Sequence, residues 1–244
     1  VGTGVAATKY KKGDKLFGWT SLMKLGGHAE YVALPETGAF APIPAAMSYT
    51  DAAAIPFGFG TALHFLRKAK VTKGQRVLIY GASGAVGSAA IQLAGHLGAE
   101  VTGVCSTHNV ELVRSMGATH VVDYTKEDLL AHRDRYDLVF ETVGKLPFKD
   151  CLKLVKQQGT IITGSEMPAQ MLARLFTGKG GKQAKVIGGT ALSTPADMQY
   201  LAQLCAAQAI RPVIDQVLPL ERIVEAHARA ESGRKVGNVV VEMG

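Results

Sequence analysis

The sequence predicts an α/β protein, a doubly wound parallel sheet set within a second, β-rich domain. Three observations carry the prediction. Val77, Leu78 and Ile79 form a continuous apolar run with β-branched residues, the pattern of a central strand buried on both faces. Gly81, Gly84 and Gly87 follow at once, and beyond them Val86, Ala89, Ala90, Leu93 and Leu97 recur at helical spacing up to Gly98, where a C-terminal cap glycine belongs. Short apolar runs then alternate with helical segments as far as residue 187, so parallel strands joined by crossovers are expected.

Taken in order, residues 1–45 have the texture of a small β module. VGTGVAATKYKKGDKLFG reads as strand, turn and strand about Gly13-Asp14, and GGHAEYVAL reads as a second turn and strand before Pro35, Pro42 and Pro44 mark a loop. The chain begins without Met and in mid-strand, so a preceding segment is expected. His28 in the second turn reads as a surface or hydrogen-bonding residue rather than a proton donor. Ser48–Lys70 predicts two helices, Asp51–Ile55 and Thr61–Ala69, interrupted by Pro56-Phe57-Gly58-Phe59-Gly60, where backbone either approaches a ligand or Phe57 and Phe59 simply pack. Beyond the glycine stretch, strands are expected at Glu100–Cys105, His120–Asp123, Leu138–Phe140, Thr160–Thr163 and Val186–Ile187. A helix over Asp197–Gln208, a strand over Arg211–Leu218, a helix over Leu220–Ala230 and a final strand over Asn238–Glu242 complete the chain. The expected organisation is 1–47 and 191–244 as two pieces of one β-rich domain, flanking a dinucleotide-binding domain at 48–190.

Strand, glycine turn and helix is the arrangement that aims unpaired backbone N–H groups and a positive helix end at a pyrophosphate. The spacing here is G-x-x-G-x-x-G rather than G-x-G-x-x-G, yet the strand before it and the helix after it supply the context that the motif needs. The end of the second strand, Cys105-Ser106-Thr107-His108-Asn109, lacks the Asp or Glu that takes the adenosine ribose hydroxyls of NAD. Its hydroxyls favour a 2′-phosphate and therefore NADPH, although Ser106 and Thr107 also suit helix caps. Since the loop has no Arg or Lys, the counter-charge must come from elsewhere.

Net charge is +7 over 244 residues, but the basic residues lie in short scattered groups without interleaved aromatics, which argues against nucleic acid as a partner. Cys105, Cys151 and Cys205 stand far apart, suit a reducing compartment, and offer neither a disulfide framework nor a metal-binding spacing. No apolar run approaches the length of a membrane span.

The blocks KKGDKLFG, GGHAEYVALPE, SYTDAAAIPFGFGTALHFL, GQRVLIYGASGAVGSAAIQLA, VDYTKEDL and RPVIDQVLPLERIVEAHARAESGRKVGNVVVEM together resemble the medium-chain dehydrogenase/reductase superfamily, and most closely its zinc-independent quinone oxidoreductase (zeta-crystallin-like) branch. The resemblance implies a Rossmann domain inserted in a GroES-like catalytic domain, the first half of which lies largely outside this sequence. It places Ser83, Gly84, Ala85 and Val86 at the pyrophosphate, and Ser106, Thr107 and Tyr124 at the 2′-phosphate end. Thr61, Val143, Gly164 and Asn238 then fall near the nicotinamide, and Lys235 is either a phosphate counter-charge or a solvated lysine. It further implies a homodimer without metal, in the cytoplasm or, if a leader has been lost, in an organelle. The expected reaction is hydride transfer from NADPH to a quinone or other conjugated carbonyl, with no side chain standing out as an obligatory acid. Two readings compete with it: a zinc-dependent alcohol dehydrogenase with its ligands outside this sequence, and a non-catalytic NADPH-binding or RNA-binding crystallin-like protein.

Overall fold

A computed structural model describes residues 2–20, 27–133, 135–163 and 183–243. The chain divides into two compact units, Ala62–Ala191 and Val1–Thr61 with Leu192–Gly244.

The Ala62–Ala191 unit is built on a six-stranded parallel sheet. Its strands are β3 (Arg76–Tyr80), β4 (Glu100–Cys105), β5 (His120–Asp123), β6 (Tyr136–Glu141), β7 (Val155–Thr163) and β8 (Lys185–Ile187), in the order β5-β4-β3-β6-β7-β8. The order reverses between β3 and β6, which makes the carboxyl end of β3 the switch point where open α/β sheets bind ligands. Val77, Leu78 and Ile79 are fully buried, as a strand covered on both faces requires. Helix α3 (Ala85–His96) returns the chain to β4 and is buried along most of its length; its small residues let it lie close on the sheet. It ends as the sequence predicts, with Gly98 at φ +81° just past the cap residue Leu97. Helices α4 (Val110–Ser115) and α5 (Phe148–Leu154) pack on β4 and β5 and on β6 and β7 respectively.

The second unit holds two small sheets. β1 (Leu16–Trp19) pairs antiparallel with β2 (Ala39–Pro42), and β9 (Ile214–Pro219) pairs parallel with β10 (Asn238–Glu242). Helix α7 (Ile223–Glu231) links β9 to β10 and is tied to β9 by a bidentate Arg229–Asp215 pair at 2.5 and 3.0 Å. Helix α6 (Pro195–Ala206) opens on a capping box formed by Thr194 and Asp197. Helix α1 (Tyr49–Ala53), capped by the Ser48 hydroxyl, contacts β1 and β10, and Thr50 Oγ1 donates to Glu242 at 2.7 Å. These contacts place α1 in this unit.

Three expectations are corrected. Pro56-Phe57-Gly58-Phe59-Gly60 does not interrupt a helix: helix α2 (Pro56–Ala69) runs straight through it, because proline at a first helical position forfeits only an N–H that has no intrahelical acceptor. Phe59 is buried, Phe57 meets Trp19 with ring centroids 5.8 Å apart, and Gly60 lies against Ser193, so this segment packs. The GGHAEYVAL segment forms no strand among its described residues; Tyr31 and Val32 are exposed there, and a run of strand-forming residues without a ladder partner does not make a sheet. Of the two strands expected in residues 1–18, the described residues form only the second, β1, and its partner is β2 from the stretch read as loop.

Candidate dinucleotide site at the carboxyl edge of the sheet

The chain leaves β3 through Gly81, at φ +81°, and bends sharply enough that the amides of Gly81 and Ala82 both reach the carbonyl of Val104 on β4, at 3.2 and 3.0 Å. A side chain at Gly81 would strike Val143 and Thr142, and one at Gly87 would strike the Gly81 carbonyl. The turn therefore closes only with hydrogen at both positions. Gly84 is the N-cap of α3 and supplies no capping side chain; the first intrahelical bond runs from Ser88 N to Gly84 O at 2.9 Å. Helix geometry thus leaves the amides of Ala85, Val86 and Gly87 without an intrahelical acceptor, at the positive end of a 12-residue helix. Donors without acceptors, a turn closed by glycines that admit no side chain and a positive helix end together fit a diphosphate.

At the end of β4, Ser106 begins a short 3-10 turn, Thr107–Asn109, and makes no side-chain cap bond. Asn109 Nδ2 donates to Ser106 Oγ at 3.3 Å and to Ser83 Oγ at 3.2 Å, joining the glycine turn to this corner. Each serine oxygen thereby accepts, and its own proton stays available for an anion. Thr107 behaves differently: its hydroxyl donates to Asp123 Oδ2 at 2.6 Å and lies 2.8 Å from Thr125 Oγ1. Thr125 in turn donates to Asp123 Oδ1 from its hydroxyl at 2.7 Å and from its amide at 3.0 Å. The hydroxyls of Thr107 and Thr125, then the amide of Thr125 and the nearby Lys126, hold the Asp123 carboxyl below its ordinary range against the opposing effect of burial. Asp123 is 8% exposed, and Lys126 Nζ stands 3.8 Å from it. The expectation of a corner without carboxylate is therefore corrected: it holds for residues 105–109, but β5 brings Asp123 alongside. The cation beside this carboxylate is Lys126. Tyr124, which follows Asp123 in the chain, is 52% exposed.

Beyond β6, the buried carboxylate of Glu141 accepts from the amides of Val143 at 2.9 Å, Gly144 at 2.7 Å and Lys145 at 3.2 Å. Thr142 Oγ1 donates to the Tyr80 carbonyl at 2.7 Å. These bonds fix the loop that carries Val143, whose side chain overlies Gly81. The structure thus gathers Ser83, Gly84, Ala85, Val86, Ser106, Thr107, Tyr124 and Val143 at the carboxyl edge of one sheet.

Thr61, Lys235 and Asn238 belong to the other unit. Thr61 is half-buried in α2. Both the amide and the side chain of Asn238 donate to the Val213 carbonyl, at 2.8 and 3.0 Å. Lys235 is not the solvated lysine of the sequence reading: its ammonium donates to the Gly237 carbonyl at 2.6 Å, and burial lowers its pKa. Gly164 lies outside the described residues. His28 is exposed and sits edge-on to His227, centroids 5.3 Å apart. Burial pushes the thiols of Cys105 and Cys205 up to about 11 and that of Cys151 to about 12, so none is a nucleophile at neutral pH. Among the described residues no three His, Cys, Asp or Glu side chains are grouped to hold a metal, and no helix is long and apolar enough to cross a membrane.

Asn109, Asp123, Lys126 and Glu141 are the residues the sequence reading missed. The signal for Asp123 and Glu141 was an acid closing a strand at the binding edge, and for Asn109 a carboxamide opening a helix.

Comparison with known proteins gives a consistent result. The family model described as zinc-binding dehydrogenase matches residues 116–241. The chain is 32% identical over 243 residues to 2-methylene-furan-3-one reductase of Solanum lycopersicum, covering 95% of this chain and 58% of that protein. It is 30% identical over 251 residues to the chloroplastic NADPH-dependent alkenal/one oxidoreductase of Arabidopsis thaliana, covering 99% and 61%. The solved quinone oxidoreductase from Coxiella burnetii superposes with a TM-score of 0.75 at 28% identity, over 83% of this chain and 63% of that one. The chain thus spans about three fifths of the length of these relatives.

Proposed function

The chain belongs to the medium-chain dehydrogenase/reductase superfamily, and from that premise we propose that it transfers a hydride from NADPH to the conjugated carbonyl of a quinone or enone. The observation that carries the reading is the turn at the switch point, which closes only with glycine at positions 81 and 87 and leaves the amides of Ala85, Val86 and Gly87 without intrahelical acceptors. The names of the tomato, Arabidopsis and Coxiella proteins supply the substrate class. In this reading Ala62–Ala191 is the dinucleotide domain, and Val1–Thr61 with Leu192–Gly244 forms part of the catalytic domain. The chain acts as a homodimer without metal. Its compartment is the cytoplasm, or an organelle as for the chloroplastic relative.

The nicotinamide, when bound, supplies the hydride. This chain's residues bind and orient. The α3 amides and Gly84 receive the pyrophosphate. Ser83 and Ser106 donate hydroxyl protons to phosphate oxygens, their own oxygens being occupied by Asn109. Tyr124 and Lys126 flank the 2′-phosphate. Lys235, one of whose three donors is taken by the Gly237 carbonyl, is assigned to a phosphate on the family resemblance alone. Val143, held by Glu141, is assigned to the nicotinamide half; Thr61, Gly164 and Asn238 are assigned to it on the family resemblance alone. The product's proton comes from solvent or from a cofactor hydroxyl.

The test is NADPH oxidation by the full chain with quinones, enones and simple alcohols, each with and without a zinc chelator. Turnover of quinones or enones that the chelator leaves untouched is expected. Turnover confined to alcohols and abolished by the chelator overturns the reading, in favour of the zinc enzyme that the family model's description names.

A further inference from the structure

We propose that this corner chooses NADPH over NADH because two hydroxyls hold a nearby carboxylate out of use: Thr107 and Thr125 occupy both oxygens of Asp123, and removing them turns the site toward NADH. The inference rests on the dinucleotide reading above and adds to it the device that selects between the two cofactors.

In NAD-binding proteins of this architecture an acid at the end of the second strand accepts the adenosine ribose hydroxyls. The second strand here is β4, and it ends without one. Asp123, however, pairs in register with Cys105, the last residue of β4, so a carboxylate stands at that height one strand over. An ionised carboxylate has about four acceptor positions. Thr125 takes two of them at Oδ1, through its hydroxyl and its amide. Thr107 takes a third at Oδ2, on the side where Lys126 lies 3.8 Å away. The carboxylate is thus left little capacity for ribose hydroxyls, and its charge is offset by a lysine that is itself exposed. Ser106, two residues before His108 on the same turn, keeps its proton for an incoming oxygen because Asn109 already donates to it. The corner therefore offers a donor and a cation while its acceptor is occupied, which is the polarity that a phosphate needs and ribose hydroxyls do not.

Removing both threonine hydroxyls frees acceptor positions on Asp123, which then accepts from the 2′- and 3′-hydroxyls of NADH and opposes a 2′-phosphate. Both changes move the preference the same way.

The experiment titrates the full chain with NADPH and NADH, following nucleotide fluorescence, with 2′,5′-ADP and 5′-AMP as competing probes. In Thr107→Ala/Thr125→Ala the ratio of NADPH to NADH affinity falls at least tenfold, and NADH binds more tightly than it does to the parent chain. A damaged fold does not produce that gain. Thr107→Ser/Thr125→Ser, which restores the hydroxyls, keeps the parent ratio. Adding Asp123→Asn to the alanine pair cancels the gain in NADH affinity. An alanine pair that keeps the parent ratio, or that loses both dinucleotides in equal proportion, overturns the proposal while leaving the NADPH reading intact. A parent chain that binds neither dinucleotide overturns both.

Discussion

Asn109 shows how much a single carboxamide organises at this edge. Its Nδ2 lies within 3.3 Å of two serine oxygens that arrive on different turns, Ser83 after β3 and Ser106 after β4. An amide nitrogen only donates, so both serines are set as acceptors toward Asn109 and as donors toward an arriving ligand oxygen. Without it the two hydroxyls rotate freely and have to be oriented when the ligand binds. Asn109→Ala is expected to weaken NADPH binding about tenfold, the worth of roughly one net hydrogen bond of about 1.4 kcal/mol. The midpoint of urea unfolding should barely move, since Asn109 is only half-buried and makes no helix cap bond. Titration and unfolding of the same preparation check the two halves together. Unchanged affinity removes Asn109 from the site.

At the scale of elements, the β3–turn–α3 unit depends on how closely the helix start approaches the turn. A methyl group at Gly87 would run into the carbonyl of Gly81 and the backbone of Ala82, both of which are fixed by bonds to Val104. A methyl group at Gly84 would meet only the Gly81 carbonyl, at an ordinary 3.5 Å. Gly87→Ala should therefore lower the unfolding free energy by about 1–3 kcal/mol, the usual cost of overpacking, and Gly84→Ala by less than about 1 kcal/mol, the scale of a changed N-cap. Urea unfolding of the two variants side by side tests this. Equal stability of the two denies the tight turn. This unit was legible in the sequence because its signals are local: an apolar run, three glycines and a helical period adjoin one another. The corner beside it was not, because Thr107 and Asp123 meet only through the register of β4 on β5, and no spacing along the chain reports a register. The opposite failure occurred at 27–34, where a turn followed by strand-forming residues promised a strand and no described ladder partner accompanies it. At Pro56 the punctuation was right about a boundary but took a helix start for a break.

At the scale of the whole chain, both units carry carboxylates held in their charged form, so both respond to acid in the same direction. In the Val1–Thr61 and Leu192–Gly244 unit, Arg229 holds Asp215 below its ordinary 3.8, first through its hydrogen bonds and then through its charge. In the Ala62–Ala191 unit, Thr107 and Thr125 do the same for Asp123. At Asp137 burial pushes upward, but the Lys156 ammonium at 2.8 Å and the Arg76 amide outweigh it. A carboxyl whose folded pKa lies below its unfolded value binds its proton more readily in the unfolded chain. The stability it contributes is complete above the unfolded value and is lost as pH falls through the folded one. Protonation also raises a net charge that is already +7 at neutrality, and self-repulsion then adds to the loss. The urea midpoint is therefore expected to hold level above about pH 5 and to fall steadily below about pH 4. Asp215→Asn, which cannot ionise, should show a lower midpoint at neutral pH and a shallower fall in acid than the parent chain. A midpoint that stays level down to about pH 3, or an Asp215→Asn curve parallel to the parent's, would mean that these carboxylates are not what ties the stability of the fold to pH.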